Sequence, residues 1–224
     1  MVEGRARRFV HILVLMVTVM TGGAGAAEVA TEAKARPIKV VVLGDSLSAG
    51  LGLPAAAAFP ARLQKALKDR GVNVDMINAG VSGDTSSGGR DRLDWSIPEG
   101  TQAVIVELGA NDALRGIDPK ITRAALTEIV SRLKGRGIAV MLCGMLAPPN
   151  YGSDYADRFN SIYPDLAKAF DVPLYPFFLA GVAADAKLNQ ADGIHPTAAG
   201  GDIIVGNMLP VVETFLRPIR PQHS

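Results

Sequence analysis

Cysteine, histidine and tryptophan are scarce in this sequence of 224 residues, and each scarcity removes a class of function. Cys143 is the sole cysteine, so no internal disulfide can form, and the apolar stretch around it predicts a small core residue. No C-x-x-C or H-E-x-x-H spacing occurs, so no familiar metal site is indicated. The formal net charge is only +1, with no cluster of lysine and arginine in the folded part, which argues against nucleic-acid binding.

Only three histidines are present, at His11, His195 and His223. His11 lies in an apolar N-terminal stretch, and His223 is the penultimate residue, where chains are usually frayed. If the protein uses a histidine as a general base, that base must be His195.

The first 26 residues have the order of a secretory signal peptide. Three arginines fall among the first eight residues, an apolar stretch follows, and Ala24 and Ala26 form an A-x-A pair. The apolar stretch is shorter than the roughly 20 residues of a membrane-spanning helix. We therefore predict cleavage after Ala26 or one residue later, a periplasmic or secreted location, and no stable membrane anchor afterwards. Residues 27–37 are expected to form a flexible leader.

Apolar runs rich in β-branched residues alternate with helical patterns along the rest of the chain. This alternation predicts βαβ units, hence an α/β fold in which helices cover both faces of a parallel sheet in three layers, α/β/α. We expect one domain over 38–218 and a short tail over 219–224. The predicted strands are 38–43, 72–78, 103–108, 138–143 and 173–175; the predicted helices are 59–70, 119–134, 155–170 (which Pro164 kinks or divides) and 198–216, and 80–89 is expected to be a loop.

Glycine-rich segments follow the first three predicted strands. In open α/β sheets, functional loops lie at the carboxyl ends of the strands. Ser46, Gly83 and Asn111 occupy these three segments, so we expect them at the same edge of the sheet.

The turn around Ser46 and the loop around His195 carry the residue types of nucleophilic catalysis. A serine nucleophile needs a base and donors for the developing oxyanion. Asp192 lies three residues before His195, from where a carboxylate can reach the imidazole and fix its tautomer. The alternative is structural: Ser46 caps a helix, and Asp192 or Thr197 caps the last one. The G-x-S-x-G elbow of α/β-hydrolases is absent.

Four blocks of the sequence, in this order, strongly resemble the GDSL/SGNH hydrolases, and within them the bacterial periplasmic thioesterase, arylesterase and lysophospholipase group. The resemblance covers nearly all of the chain after the signal peptide, including Leu114-Arg115-Gly116 and Asn150-Tyr151-Gly152. The blocks are Gly44-Asp45-Ser46-Leu47-Ser48-Ala49-Gly50, Ser82-Gly83-Asp84-Thr85-Ser86, Glu107-Leu108-Gly109-Ala110-Asn111-Asp112 and Asp192-Gly193-Ile194-His195-Pro196.

The resemblance implies a flavodoxin-like SGNH fold with a five-stranded parallel sheet, and a role for each matching residue. Ser46 would be the nucleophile, His195 the general base and Asp192 its orienting carboxylate. The oxyanion hole would comprise the backbone N–H groups of Ser46 and Gly83 and the side-chain amide of Asn111. Taken singly, Gly83 fits an ordinary turn and Asn111 an ordinary helix cap. No metal or cofactor is implied.

The function implied is that of a serine esterase acting through an acyl-enzyme on a small acyl ester or lipid: carboxylic acyl or aryl esters, and also thioesters or lysophospholipids. An O-deacetylase of envelope or extracellular glycans is the alternative enzyme, although Trp95 is the sole tryptophan available as a sugar platform. A non-catalytic lipid-binding protein on the same scaffold is the alternative of another class. Nothing in the sequence requires more than a monomer.

Two further expectations concern residues near the site. The apolar stretch 145–149 follows the fourth strand, where it forms either the wall of an acyl groove or a rigid buried loop. Asp45, Asp84 and Asp112 are expected to hold loops by accepting backbone N–H bonds, without taking part in proton transfer.

Overall fold

The computed structural model describes residues 36–219, together with Met1. Residues 36–219 belong to one compact unit. The predicted signal peptide over 1–26, most of the leader and the tail beyond residue 219 lie outside the described residues, so these three assignments stay predictions.

The strands are β1 (Ile38–Gly44), β2 (Val74–Gly80), β3 (Ala103–Glu107), β4 (Ala139–Cys143) and β5 (Leu174–Tyr175). They form one parallel sheet in the order β2-β1-β3-β4-β5, which confirms the predicted α/β class. β1 lies inside the sheet, where Val42 pairs with Asn78 of β2 on one side and with Ile105 of β3 on the other. β1 and β3 are almost wholly buried, which explains their continuous apolar sequences.

Helices cover the sheet in two groups. The helices are α1 (Ser46–Ala49), α2 (Phe59–Asp69), α3 (Ser86–Asp91), α4 (Leu93–Ser96), α5 (Ala110–Leu114), α6 (Pro119–Gly135), α7 (Ser153–Asn160), α8 (Ile162–Phe170) and α9 (Ala198–Leu216). α2 packs on α9, and α6 packs on α3 and α8. Because the chain steps from β1 to β2 in one direction and from β3 to β5 in the other, right-handed crossovers place these groups on opposite faces. The reversal of strand order beside β1 is where open α/β sheets form their sites.

α9 is long and apolar enough to cross a membrane by length and composition alone, but half of that stretch is buried in the protein. Its buried side chains, among them Ile204, Met208 and Val212, belong to the same core as the sheet. We therefore assign α9 as a core helix.

Two of the differences between the structure and the predicted elements have a clear physical reason. The segment 80–89, expected to be a loop, contains the start of α3, because the Thr85 hydroxyl caps the helix by accepting the Gly88 N–H. An added Cβ at Gly89 would lie 2.3 Å from a Leu108 methyl carbon, so close packing explains a glycine that sequence alone assigns to a loop. The predicted helix over 155–170 is two helices, α7 and α8, and Pro164 lies in the first turn of α8, where its missing N–H breaks no bond.

Candidate active site

The turn after β1 presents Ser46 at the carboxyl edge of the sheet. Asp45 caps α1 by accepting the Leu47 N–H at 3.0 Å, and Ser46 is the first residue of that helix, with 8% of its surface exposed. An added Cβ at Gly44 would lie 2.3 Å from the Ser48 hydroxyl oxygen and 2.6 Å from a Glu107 carboxyl oxygen. Glycine at this position therefore lets the end of β1 pack closely against Ser48 and the buried Glu107.

Ser46, His195 and Asp192 form a hydrogen-bonded series across 149 residues of sequence. The Ser46 Oγ lies 2.8 Å from His195 Nε2, and His195 Nδ1 lies 2.7 Å from Asp192 Oδ2. Because an ionised carboxylate only accepts, this contact assigns the ring proton to Nδ1 and leaves Nε2 to accept from the serine hydroxyl.

Asp192 is held by its own loop. Its Oδ1 accepts the backbone N–H of His195 at 3.0 Å and that of Ile194 at 2.9 Å. The His195 N–H, then the Ile194 N–H and the contact with the imidazole, lower the pKa of Asp192 to about 2. The carboxylate beside the histidine thus stays charged well into the acid range.

Gly83 lies in the loop after β2 with a φ of +85°, a conformation that favours glycine. An added Cβ there would meet only the Arg115 guanidinium, at 3.7 Å, so the backbone conformation and not crowding explains the glycine. Arg115 donates to the Gly83 carbonyl at 2.8 Å. Within residues 36–219, the N–H groups of Gly83 and Ser46 make no hydrogen bond to the protein and are free to meet a substrate oxygen.

Asn111 lies at the start of α5 and contacts the turn after β1 and the loop after β2. Its Nδ2 donates to Asp45 Oδ2 at 3.0 Å and to the Asp84 carbonyl at 2.9 Å. The amide has two hydrogens, and both are therefore engaged before any substrate arrives.

Arg92 joins the nucleophile turn to the loop of Gly83, and no sequence motif pointed to it. It is 6% exposed, and its guanidinium donates to the Asp84 carboxylate, to the Gly44 carbonyl at 2.9 Å and to the Ser96 hydroxyl at 2.9 Å. The expectation that the Asp84 carboxylate accepts backbone N–H bonds is therefore wrong, because this side chain pairs with a buried arginine.

Asp112 holds a loop as expected, with more partners than expected. It is fully buried and accepts the Ser86 N–H at 2.8 Å, the Ser86 hydroxyl at 2.5 Å and the Thr122 hydroxyl at 2.9 Å. It thus joins the start of α3 to α5 and α6.

Asp45 and Glu107 are buried carboxyl groups beneath Ser46. Burial raises the pKa of Asp45 to about 6, although its bonds from Leu47 and Asn111 lower it in part. Burial, and then the charge of Asp45, raise the pKa of Glu107 well above its usual value. Glu107 accepts the Ser48 hydroxyl at 2.6 Å, and its Oε1 has no partner within residues 36–219. Of these two acids Glu107 therefore has the more strongly raised pKa, and Asp45 is the one that ionises more readily.

A groove of about 530 Å³ runs past Ser46, and its wall is predominantly apolar. The stretch 145–149 contributes Met145, Leu146 and Pro148, which favours the first of the two alternatives for that stretch. Phe177 is the aromatic side chain among the lining residues, whereas Trp95 lies on α4, outside the groove and 76% exposed. The other apolar lining residues are Leu47, Leu51, Ala110, Ala113, Leu114, Leu179, Ala183, Ala184 and Ile194.

A parallel sheet whose carboxyl edge carries a serine, a histidine and an aspartate in one hydrogen-bonded series has the arrangement of serine hydrolases. Among residues 36–219, no cluster of three or more histidine, cysteine or acidic side chains is placed to hold a metal ion.

Comparisons with known proteins assign the family. The GDSL-like lipase/acylhydrolase family matches residues 42–203. Esterase TesA of Pseudomonas aeruginosa is 40% identical over 178 residues, which cover 79% of this chain and 89% of TesA. Thioesterase 1/protease 1/lysophospholipase L1 of Escherichia coli K12 is 39% identical over 187 residues, covering 83% of this chain and 84% of that protein. A crystal structure of TesA superposes with a TM-score of 0.76 at 39% identity, covering 80% of this chain and 99% of that one. The chain therefore belongs to the GDSL-like lipase/acylhydrolase family and is an enzyme that hydrolyses carboxylic esters.

Proposed function

We propose that this enzyme is a serine esterase in which Ser46 is the nucleophile, His195 the general base and Asp192 the carboxylate that orients the base. The observation that carries this proposal is the series of two short hydrogen bonds, from Ser46 to His195 and from His195 to Asp192. The same serine lines the groove, so a bound ester would meet it directly.

In the proposed cycle, His195 Nε2 takes the Ser46 proton as Oγ attacks the ester carbonyl. The imidazolium then returns that proton to the leaving alcohol or thiol, and an acyl-enzyme remains. Water, deprotonated by His195 in turn, releases the carboxylic acid and restores the serine. Asp192 keeps its charge throughout and stabilises the imidazolium. The oxyanion would meet the N–H groups of Ser46 and Gly83 and the amide of Asn111.

The apolar wall of the groove supports an acyl chain, rather than a sugar, as the bound part of the substrate. Burying a methylene group contributes about 0.8 kcal/mol, so a wall of leucine, methionine and alanine side chains favours longer apolar chains over acetyl groups. We extend the proposal to thioesters and lysophospholipids because the Escherichia coli relative is named for both activities. The acyl chain of these substrates would bind in the same groove, and only the leaving group differs.

The test is turnover of p-nitrophenyl esters of graded acyl length by the purified protein and by Ser46→Ala. We expect the variant to lose at least ~1,000-fold in kcat, because the nucleophile is gone. Ser131→Ala is the matched control, since Ser131 is exposed on α6 and should leave turnover unchanged.

Each outcome of this test separates the candidates. An optimum at medium or long chains supports the acyl groove, whereas a strict preference for acetate would favour the glycan O-deacetylase. Equal, negligible turnover by both proteins would refute the serine esterase and favour a lipid carrier.

We further propose export to the periplasm or beyond, with residues 1–26 removed. The order of charges and apolar residues over 1–26 supports this proposal. N-terminal sequencing of the protein recovered from cells should find Ala27 or Glu28 first; an intact Met1 would contradict it.

A further inference from the structure

The three proposed oxyanion donors differ in whether they already donate a hydrogen bond within the protein. The N–H groups of Ser46 and Gly83 have no acceptor within residues 36–219, whereas both amide hydrogens of Asn111 are engaged. If Asn111 is to donate to the oxyanion, one of its two present bonds must be given up. The structure allows the two to be ranked.

The bond from Asn111 to Asp45 is the stronger of the two. Its acceptor is the carboxyl group of Asp45, which ionises more readily than its buried neighbour Glu107, and bonds to ionised acceptors are roughly twice as strong as neutral ones. It also forms where water is excluded, since Asp45 is fully buried. The other acceptor, the carbonyl of Asp84, is neutral.

Both oxygens of the Asp45 carboxylate accept a hydrogen bond. Its Oδ1 takes the Leu47 N–H at 3.0 Å and its Oδ2 takes the Asn111 amide at 3.0 Å. One carboxylate thus fixes the first turn of α1, which carries Ser46, and the side chain of Asn111. In an Asp45→Asn variant, the NH₂ group of the new amide would face either the Leu47 N–H or the Asn111 amide, both of which are donors.

We propose that Asp45 is a positioning residue of the oxyanion hole: it keeps one amide hydrogen of Asn111 throughout the reaction, while the hydrogen now on the Asp84 carbonyl turns to the oxyanion. This inference rests on the proposed function of Ser46 and Asn111. It predicts that Asp45 acts on catalysis through Asn111 and leaves the binding of the acyl chain untouched.

The first experiment is a double-mutant cycle with Asp45→Asn and Asn111→Ala, measured as kcat and KM on one p-nitrophenyl ester. Asn111→Ala should lower kcat by ~100- to 1,000-fold as a lost oxyanion donor. Asp45→Asn alone should lower kcat by ~10- to 100-fold with KM changed less than ~3-fold. In the Asn111→Ala background it should cost less than ~3-fold, because residues that act as one unit are not additive.

Asp118→Asn is the matched control. Asp118 caps α6 by accepting the Lys120 N–H at 3.0 Å, as Asp45 caps α1, but it is exposed and does not line the groove. Its kcat should equal that of the wild type. Additive losses in the cycle, or an Asp45→Asn variant with wild-type kcat, would overturn the proposal. Wild-type turnover that Ser46→Ala abolishes keeps the proposed function standing in either case.

A second measurement needs no variant of Asp45. A p-nitrophenyl alkylphosphonate reacts when Ser46 Oγ forms a bond to phosphorus and p-nitrophenolate leaves, and the serine proton passes to His195. The phosphoryl oxygen then takes the place of the oxyanion. In spectra of the ¹⁵N-labelled protein, one of the two Asn111 side-chain amide protons should shift on this reaction while the other stays. Two shifted protons, or none, would contradict the proposal.

Discussion

The two regions that hold Asp192 and Asp45 treat a carboxylate in opposite ways. Asp192 lies in an open loop with 44% of its side chain exposed, yet its pKa is lowered to about 2. Asp45 is buried beneath Ser46, and its pKa is raised to about 6. The two pKa shifts differ in sign because each carboxylate accepts a different number of hydrogen bonds and loses a different amount of hydration.

Asp192 gains three hydrogen bonds, two of them from backbone N–H groups, and gives up little hydration. Asp45 gains two and gives up nearly all of its hydration. Local loop geometry can therefore stabilise a charge more than a protected interior does. In the proposed mechanism Asp192 must be charged whenever His195 acts as a base, and such a loop keeps it charged. Three experiments probe this contrast.

The largest effect is expected from Asp192→Asn. The amide has one oxygen in place of two, so it cannot satisfy both the backbone N–H groups and the His195 Nδ1–H, and the imidazole is left without its fixed tautomer. We expect kcat to fall by ~10,000-fold, the scale of this change in serine hydrolases. Thermal unfolding should change little, because the side chain is half exposed.

Asp185→Asn is the control for this change, since Asp185 accepts the Lys187 N–H in the way that Asp192 accepts that of Ile194. Turnover by Asp192→Asn within tenfold of the wild type would mean that the backbone alone orients His195.

The surroundings of Asp192 could be predicted from the sequence, whereas those of Asp45 could not. The bond from Asp192 to His195 spans three residues, so spacing alone places the carboxylate within reach of the ring. The bond from Asn111 to Asp45 joins residues 66 apart, and it depends on how β1 and β3 pair and on which rotamer the amide adopts. The alternation of strands and helices predicted that Ser46 and Asn111 lie at the same edge of the sheet, but it did not predict this contact.

Arg92 and α3 show the same limit. Arg92 contacts Gly44 at the end of β1 and Asp84 in the loop after β2. A single arginine forms no sequence motif, so these contacts could not be predicted. The residues of α3 include two glycines, so helix propensity favours a loop. The helix forms because Thr85 caps its N-terminus and because Gly89 allows close packing against Leu108, the residue after β3. Tertiary contacts decided both features.

The second experiment measures stability against pH. An acid whose folded pKa lies above its unfolded value keeps its proton in the folded state longer, so folding loses free energy as pH rises through that interval. For Asp45 the interval runs from 3.8 to about 6, which corresponds to about 3 kcal/mol. Asp192 has the opposite sign, and its contribution to stability is lost only as pH falls from 3.8 toward about 2.

Urea denaturation at pH 4.5 and pH 7 tests this difference. Asp45→Asn should lose less stability than the wild type over this range, and Glu107, whose pKa is also raised, should supply the slope that remains. Equal slopes in the two proteins would show that Asp45 is not the group that titrates.

The smallest effect is expected in the acid limb of kcat/KM. In the proposed mechanism, His195 must be neutral to act as a base, and Asp45 must be charged to hold Asn111 without weakening the Leu47 cap. Since burial raises the pKa of Asp45 to about 6, the wild type should lose about tenfold more activity than Asp45→Asn when the pH is lowered from 7 to 5. Asp192→Asn should keep this additional loss, because the pKa of Asp192 is lowered to about 2 and lies outside this range. Equal losses in the wild type and Asp45→Asn would mean that Asp45 keeps its charge, or that Asn111 does not need it. The groups whose charges act on Asp45 in this range are His195 and Asp112.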